Sequence, residues 1–100
     1  MTTMTTFPHT LDIHVTDSDL RWGWTESNWF QHPLAMAASR AVPEGHFAIY
    51  RGRRIEVLTD GCALRASYRV PRGAQQFVRD YYQGFPPSPG TFTLTLTHTH

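Results

Sequence analysis

The sequence lacks several features that define common protein classes. It contains no lysine, so its nine basic side chains other than histidine are all arginines. It has a single cysteine, Cys62, which excludes an intramolecular disulfide and a four-cysteine zinc module. The longest apolar run, Leu34 to Ala38, is far shorter than the ~20 residues that a membrane-spanning helix needs. We therefore expect a protein of a reducing, cytoplasmic compartment with no membrane partner.

The start of the chain also lacks the marks of a targeting signal. Residues 1 to 10 are rich in threonine and have neither a basic start nor an apolar stretch. We expect them to form a loose lead-in to one domain over residues 11 to 97. A domain of this size buries roughly 60 to 70% of the surface of its unfolded chain, which is enough for one modest core.

Hydrophobic periodicity predicts an α+β fold. Apolar and polar residues alternate over residues 11 to 16, 62 to 70 and 91 to 96, and the Arg51-Gly52 pair predicts a hairpin between residues 47 to 50 and 53 to 58. Apolar spacings of three and four residues, together with prolines and glycines at the ends, predict helices at about 33 to 42 and 72 to 83. We expect a mainly antiparallel sheet of about five strands, with two helices packed on one face. The predicted core is Leu11, Ile13, Val15, Leu34, Ala37, Ala38, Ile49, Ile55, Val57, Leu64, Ala66, Tyr68, Ala74, Phe77, Val78, Tyr81, Phe92, Leu94 and Leu96.

Titratable residues show no pattern typical of an active site. Asp17 and Asp19 follow Thr16, whose hydroxyl can accept a hydrogen bond from the backbone three residues on, so capping of a short helix explains both carboxylates. His32 directly precedes Pro33 and is interpreted as a residue at a helix start rather than a general base. We expect Cys62, beside the Asp60-Gly61 turn, to be half-buried. The sequence thus predicts no enzyme, no cofactor and no metal site.

Arginines are concentrated in the middle of the chain. Residues 46 to 73 contain six arginines against only two acidic residues, Glu56 and Asp60. Among residues 1 to 45, in contrast, acidic side chains outnumber arginines. Strand alternation places several of these arginines on the polar side of the predicted meander. This face is either a solvated surface or a site for phosphate or an acidic protein. The candidate nucleic-acid-binding residues are Arg51, Arg53, Arg54, Arg65, Arg69 and Arg72.

Large aromatic residues form a second unusual cluster. Trp22, Trp24, Trp29 and Phe30 lie within nine residues, in a stretch too polar and too broken by glycine to form one regular helix. Two interpretations remain open for them. The rings either fill part of the core or form an exposed patch that binds a partner.

Several segments resemble a family of small proteins of unknown function from actinobacteria and their phages. The shared pattern is a strand, a short helix after a threonine, a Pro-Leu/Ile-Ala-x-Ala helix, a β meander, a Val-Pro helix and a final Thr-Phe-Thr strand. The matching segments, over roughly residues 10 to 97, are Val15-Thr16-Asp17, Pro33-Leu34-Ala35-Met36-Ala37, Val70-Pro71 with Phe77-Val78, Gly84-Phe85-Pro86 and Thr91-Phe92-Thr93-Leu94. Many relatives carry Cys-x-x-Cys before the second helix, where this chain has Trp29 and His32, so their thiol chemistry is absent here. The resemblance implies this fold and a phage or mobile-element setting, but no activity.

Two functional hypotheses follow from the sequence. The favoured one is a non-catalytic protein-binding module of phage or prophage type, which occludes or recruits a host protein through the aromatic cluster. The alternative is a nucleic-acid-binding protein that uses an arginine-rich sheet face. An enzyme is not expected, because no set of polar residues converges on one site.

Overall fold

The computed structural model describes residues 6–22, 32–84 and 88–100, apart from the side chains of Trp22, Tyr81 and Tyr82. Within these ranges the chain forms five strands and three helices. The strands are β1 (Thr10–Val15), β2 (His46–Tyr50), β3 (Arg54–Thr59), β4 (Leu64–Arg69) and β5 (Gly90–Thr99). The helices are α1 (Asp17–Trp22), α2 (Pro33–Ala41) and α3 (Arg72–Tyr82).

The strands form one curled antiparallel sheet in the order β1-β5-β4-β3-β2. The predicted α+β fold is confirmed, with the two longer helices packing on the sheet and α1 as an additional short helix. Strands β2, β3 and β4 follow one another in the chain through short turns, and each pairs with the next. The pairing of β1 with β5 instead joins distant parts of the chain, with Ile13 opposite Phe92.

The core lies between one face of the sheet and the helices. Residues that pair across neighbouring strands point to the same face, and Leu11 on β1 and Leu94 on β5 are one such pair in the core. Ala48, opposite Val57, occupies the core position on β2, whereas Ile49 is buried on the other face of the sheet, opposite Glu56. The buried cluster consists of Phe7, Leu11, Ile13, Val15, Leu34, Ala37, Ala38, Val42, Ala48, Ile55, Val57, Ala66, Tyr68, Val70, Ala74, Val78 and Leu94. Leu20, Ala41, Tyr50, Phe77, Phe92 and Leu96 are partly buried against it.

Residues just before β1 contact the core. Phe7 is buried, and the Tyr68 hydroxyl donates a 2.7 Å hydrogen bond to the carbonyl oxygen of Pro8. The backbone N–H of Leu96 donates to the carbonyl oxygen of His9 at 2.8 Å, which extends the β1–β5 ladder by one residue. Residues 7 to 9 of the threonine-rich lead-in are therefore held in place by the sheet.

Helix α2 contacts both edge strands of the curled sheet, β1 and β2. The Ser39 hydroxyl accepts a 2.9 Å hydrogen bond from the outward N–H of Ala48 on β2. Arg40 donates from Nη2 to the outward carbonyl oxygen of His14 on β1 at 2.8 Å. Unpaired backbone groups on edge strands promote association with other chains. Two consecutive side chains of α2 thus form hydrogen bonds with backbone groups of the two edge strands, Ser39 with β2 and Arg40 with β1.

Helix α2 begins at a buried histidine. His32 caps the helix, because its Nδ1 accepts a 3.2 Å hydrogen bond from the N–H of Leu34, and its ring stacks on Tyr50 with 3.9 Å between centroids. Burial disfavours the charged imidazolium and lowers the pKa of His32 to about 4. The predicted role of His32 at the helix start is confirmed, and this ring is held in its neutral form.

The two turns of the meander differ in how they reverse the chain. Gly52 adopts a left-handed backbone with φ 77°, as the Arg51-Gly52 pair predicts. In the next turn the left-handed residue is Cys62, with φ 67°, and not Gly61. The prediction that Cys62 is half-buried is wrong, since Cys62 is exposed. The residue lies in the tight turn itself, where its N–H donates a 2.8 Å hydrogen bond to the carbonyl oxygen of Thr59.

Candidate anion-binding site

Asp19, in the first turn of α1, has a structural role. The Thr16 hydroxyl accepts from the N–H of Asp19 at 3.2 Å, and an Asp19 carboxylate oxygen accepts from the N–H of Thr16 at 2.9 Å. This reciprocal pair is a capping box with Asp in place of Glu, and it confirms the predicted cap. Arg40 adds two hydrogen bonds to the same carboxylate, at 2.7 and 2.5 Å.

The bonds to Asp19 outweigh the cost of burying it. Its burial by itself raises the pKa, but the hydrogen bonds from Arg40 and Thr16 and the positive charge of Arg40 leave the pKa below its ordinary value. The same hydrogen bond raises the pKa of Arg40. Asp19 is only 1% exposed, and the bonds from Arg40 and Thr16 keep its carboxylate ionised within the α1–α2 packing.

A pair of arginines lies on the face of the sheet opposite the core, here called the outer face. On β3 and β4 this face carries Arg54, Glu56, Ser67 and Arg69, and the register places Arg54 directly opposite Arg69. Directly opposite residues of an antiparallel pair have Cβ atoms about 4.5 to 5.5 Å apart. The side chains of two positively charged residues thus leave the sheet side by side on this face.

The carboxylate of Glu56 neutralises only part of this charge. Its Oε1 accepts a 2.8 Å hydrogen bond from Nε of Arg51, and its Oε2 lies 3.9 Å from Nε of Arg54. Arg69 makes no ion pair or side-chain hydrogen bond with any described residue. The outer face therefore carries a net positive charge beside the β2–β3 turn.

Arg65 occupies an irregular position on β4, the strand that also carries Arg69. The register between β3 and β4 shifts between Val57 and Leu58, which leaves Arg65 without a directly opposite residue. Its Nε is buried and has no hydrogen-bond partner among the described residues. A nitrogen in this position is a hydrogen-bond donor without an acceptor.

Arg53 and Arg72 lie apart from the outer-face pair, in an open cavity of about 740 Å³ beside α3. The other residues that line it are Gly73, Gln75, Gln76 and Arg79. We call this space the α3 cavity. The six arginines predicted as one face therefore divide. Arg51, Arg54 and Arg69 belong to the outer face, Arg53 and Arg72 line the α3 cavity, and Arg65 lies at the register shift on β4.

Arg79 was not among the predicted site residues, although helix periodicity contains the signal. Arg72, Gln75, Gln76 and Arg79 follow the spacing i, i+3, i+4 and i+7, which places them on one face of α3. The apolar stripe begins two positions later, at Ala74, and its described members Ala74, Phe77 and Val78 pack in or against the core. An apolar stripe defines a helix by itself, so helix prediction gives no reason to single out the polar residues on the other side.

The predicted aromatic patch lies almost wholly outside the described residues. Trp24, Trp29 and Phe30 lie outside the described residues, and Trp22 is described only through its backbone at the end of α1. Their proposed role in binding a partner stays a prediction from the sequence.

Other kinds of site find no support in the described ranges. No three or more His, Cys, Asp or Glu side chains there are grouped so that they could hold a metal ion. His98 and His100 stack with 5.8 Å between ring centroids at the end of β5. No helix in the described part of the chain is long and apolar enough to cross a membrane.

Comparison with known proteins identifies no relative from which a function could be inferred. No family model matches this chain, and no curated protein or solved structure matches it significantly. Function is therefore inferred from the two arginine groups.

Proposed function

We propose that this protein binds nucleic acid through phosphate contacts made by Arg54 and Arg69. The observation that carries the proposal is their direct cross-strand pairing on the outer face. Like charges placed directly opposite each other destabilise a sheet, on a scale where a favourable cross-strand pair contributes roughly 0.2 to 1 kcal/mol. A bound phosphate between the two guanidinium groups would convert this repulsion into attraction.

The chemistry of arginine supports a phosphate partner. Its planar guanidinium donates two parallel hydrogen bonds to phosphate oxygens, which a lysine ammonium cannot do. The Arg54 side chain is 61% exposed, so its donors are accessible to a ligand. Because backbone phosphates carry no sequence information, we expect binding with weak sequence preference.

Salt dependence provides the test. Fluorescence anisotropy with labelled single-stranded and duplex oligonucleotides should show affinity that falls steeply with salt, with a log–log slope of about −0.9 per neutralised phosphate on duplex DNA. The double variant Arg54→Ser/Arg69→Ser should flatten this slope by about 1 to 2. Arg21→Ser, a charge change at an exposed residue of α1, should leave the slope unchanged. Undetectable binding at low salt, or an equal effect of Arg21→Ser, would refute the proposal.

Protein binding through the aromatic cluster remains the competing proposal. It is supported by the density of Trp22, Trp24, Trp29 and Phe30 in the sequence and by the resemblance to phage proteins. An anchor of this kind requires exposed rings. Iodide should then quench part of the tryptophan fluorescence, and Trp24→Ser or Trp29→Ser should weaken capture of one host protein by at least ~1 kcal/mol without loss of stability. Full protection of all three indoles would exclude the aromatic site.

A further inference from the structure

The α3 cavity has a charge distribution unlike that of the outer face. Arg53, from the β2–β3 turn, and Arg72 and Arg79, two turns apart on α3, all line it. No acidic residue is among the described residues that line it. Three arginines therefore line one concave space, whereas the outer face presents its arginines on an open sheet.

Two of these guanidinium groups are uncommitted. Arg53 and Arg72 make no side-chain hydrogen bond or ion pair with any residue that the structure describes. Both are exposed, so solvent is their present partner. An incoming anion would meet donors that need not first break a bond within the protein.

The third guanidinium is oriented by its neighbours on α3. Asp80 accepts a 2.7 Å hydrogen bond from Nε2 of Gln76, and Oε1 of Gln76 in turn accepts from Nη2 of Arg79 at 3.2 Å. Asp80, which follows Arg79 on the helix, is thus hydrogen-bonded to an amide and forms no ion pair with Arg79. Gln75 is fixed similarly, because its Nε2 donates to the carbonyl oxygen of Val70 at 2.9 Å.

The backbone at the start of α3 adds to the positive potential. The first N–H groups of a helix have no partner within it, and the helix dipole places partial positive charge there. Arg72 and Gly73, the first two residues of α3, both line the cavity. Gly73 has no side chain, so its backbone is accessible to a ligand from this side.

We infer that the α3 cavity binds a phosphate monoester. A monoester carries a charge of about −1.5 to −2 and three acceptor oxygens, which suits a cavity lined by three arginines better than the single charge of an internal phosphodiester does. If the proposed nucleic-acid function holds, on which this further step rests, the monoester is the terminal phosphate of a strand. Arg53, which lines the cavity, directly precedes Arg54 of the outer-face pair, so the rest of that strand would pass around the β2–β3 turn to reach the outer face.

Oligonucleotides that differ only at their ends test this inference. Fluorescence anisotropy would compare single strands of one sequence that carry a 5′-phosphate, a 3′-phosphate or two hydroxyl ends. At least one phosphorylated form should bind about tenfold more tightly than the hydroxyl form, as expected for additional charge-assisted hydrogen bonds. Equal affinities for all three forms would overturn the inference while leaving nucleic-acid binding intact.

Matched variants separate the two arginine groups. Arg72 and Arg79 are exposed, so Arg72→Ser/Arg79→Ser should keep the wild-type melting temperature and abolish the preference for phosphorylated ends. Arg54→Ser/Arg69→Ser should weaken binding of all three oligonucleotides equally and preserve the preference. A preference that survives in Arg72→Ser/Arg79→Ser would place the monoester site elsewhere.

Inorganic phosphate distinguishes the two sources of the same chemistry. Titration calorimetry with inorganic phosphate should detect binding to the wild-type protein that is lost in Arg72→Ser/Arg79→Ser. Phosphate binding without any oligonucleotide binding would support the cavity as a site for a small phosphorylated molecule and overturn the nucleic-acid function. Binding of neither probe would overturn both.

Discussion

Arg40 on α2 and Arg54 on β3 are similarly exposed, yet their surroundings give them opposite roles. The Arg40 side chain is 50% exposed and that of Arg54 is 61% exposed. Arg40 bonds in bidentate fashion to Asp19, which is almost completely buried. Arg54 instead faces another arginine, Arg69, across the β3–β4 ladder. The burial and charge of the partner, rather than the exposure of the arginine, separate a structural residue from a candidate binding residue.

The same contrast applies to the regions around them. Around α2, polar side chains bond to backbone groups at the sheet edges and at the helix start, through Ser39, Arg40 and His32. Around the start of α3, Arg53 and Arg72 have no such bonds to described residues. We therefore expect substitutions near α2 to change stability, and those near α3 to change ligand binding.

The largest expected effect is acid destabilisation through His32. Its pKa is about 4 in the folded protein and near 6.5 when unfolded, so between these values the unfolded state binds more protons. Stability should fall as pH drops from about 6.5 to 4, by roughly 3 kcal/mol at 1.36 kcal/mol per pH unit of difference.

Urea unfolding across this pH range would measure the effect. His32→Asn keeps a side chain that caps helices but does not titrate, so this variant should lose that part of the pH dependence. The stability that depends on ionised Asp19 is lost only below its ordinary pKa of 3.8 and thus falls outside this window. Identical pH profiles for His32→Asn and wild type would show that His32 is not held neutral.

Removal of the Arg40 side chain should have the next largest effect. Arg40→Ala leaves the buried carboxylate of Asp19 without its charged donors, which should cost about 2 kcal/mol, as for other hydrogen bonds to charged groups. Arg69→Ala is the matched control, since it truncates an exposed arginine that has no partner among described residues. Equal losses in urea midpoint for the two variants would contradict the distinction between the regions.

A smaller loss is expected from Ser39→Ala. This change leaves the N–H of Ala48 without its acceptor at the β2 edge, which should cost about 1 kcal/mol. Amide hydrogen exchange would report it locally, as faster exchange of the Ala48 amide with little change on β4. Unchanged exchange at Ala48 would show that the hydroxyl does not protect this edge.

The smallest effect should have the opposite sign. Arg54→Ser/Arg69→Ser removes a like-charge pair and should leave stability unchanged or raise it by up to ~1 kcal/mol. The gain should diminish in high salt, because salt screens exposed charges. Thermal unfolding at low and high salt would measure this change, and a clear destabilisation would mean that the two arginines are structural.

Sequence patterns predicted the elements of this fold well because the patterns are local. Alternation over residues 11 to 15 and the Arg51-Gly52 turn appear directly as β1 and the β2–β3 hairpin. The Thr16 cap also depends on a spacing of three residues and was correctly predicted. The strand order was not predictable in this way, because β1 and β5 lie at distant positions in the sequence.

The candidate site was predicted only in part for the same reason. The richness in arginine was visible, but alternation alone could not show that Arg54 faces Arg69, since this depends on the register between two strands. Nor could it show that Arg40 pairs with Asp19, 21 residues away, through the packing of two helices. The role of Asp19 was therefore recognised only as a cap.

The β1–β5 pairing also has a consequence for the time course of synthesis. β1 leaves the ribosome roughly 80 residues before β5, its strand partner in the described sheet. At about 5 to 20 residues per second, β1 waits roughly 4 to 16 s for that partner. Leu11, Ile13 and Val15 remain without their β5 neighbours during this interval, when chaperones or other nascent chains can bind them. We expect folding to be completed late, after β5 has emerged, and to be slower than in a protein built from local contacts.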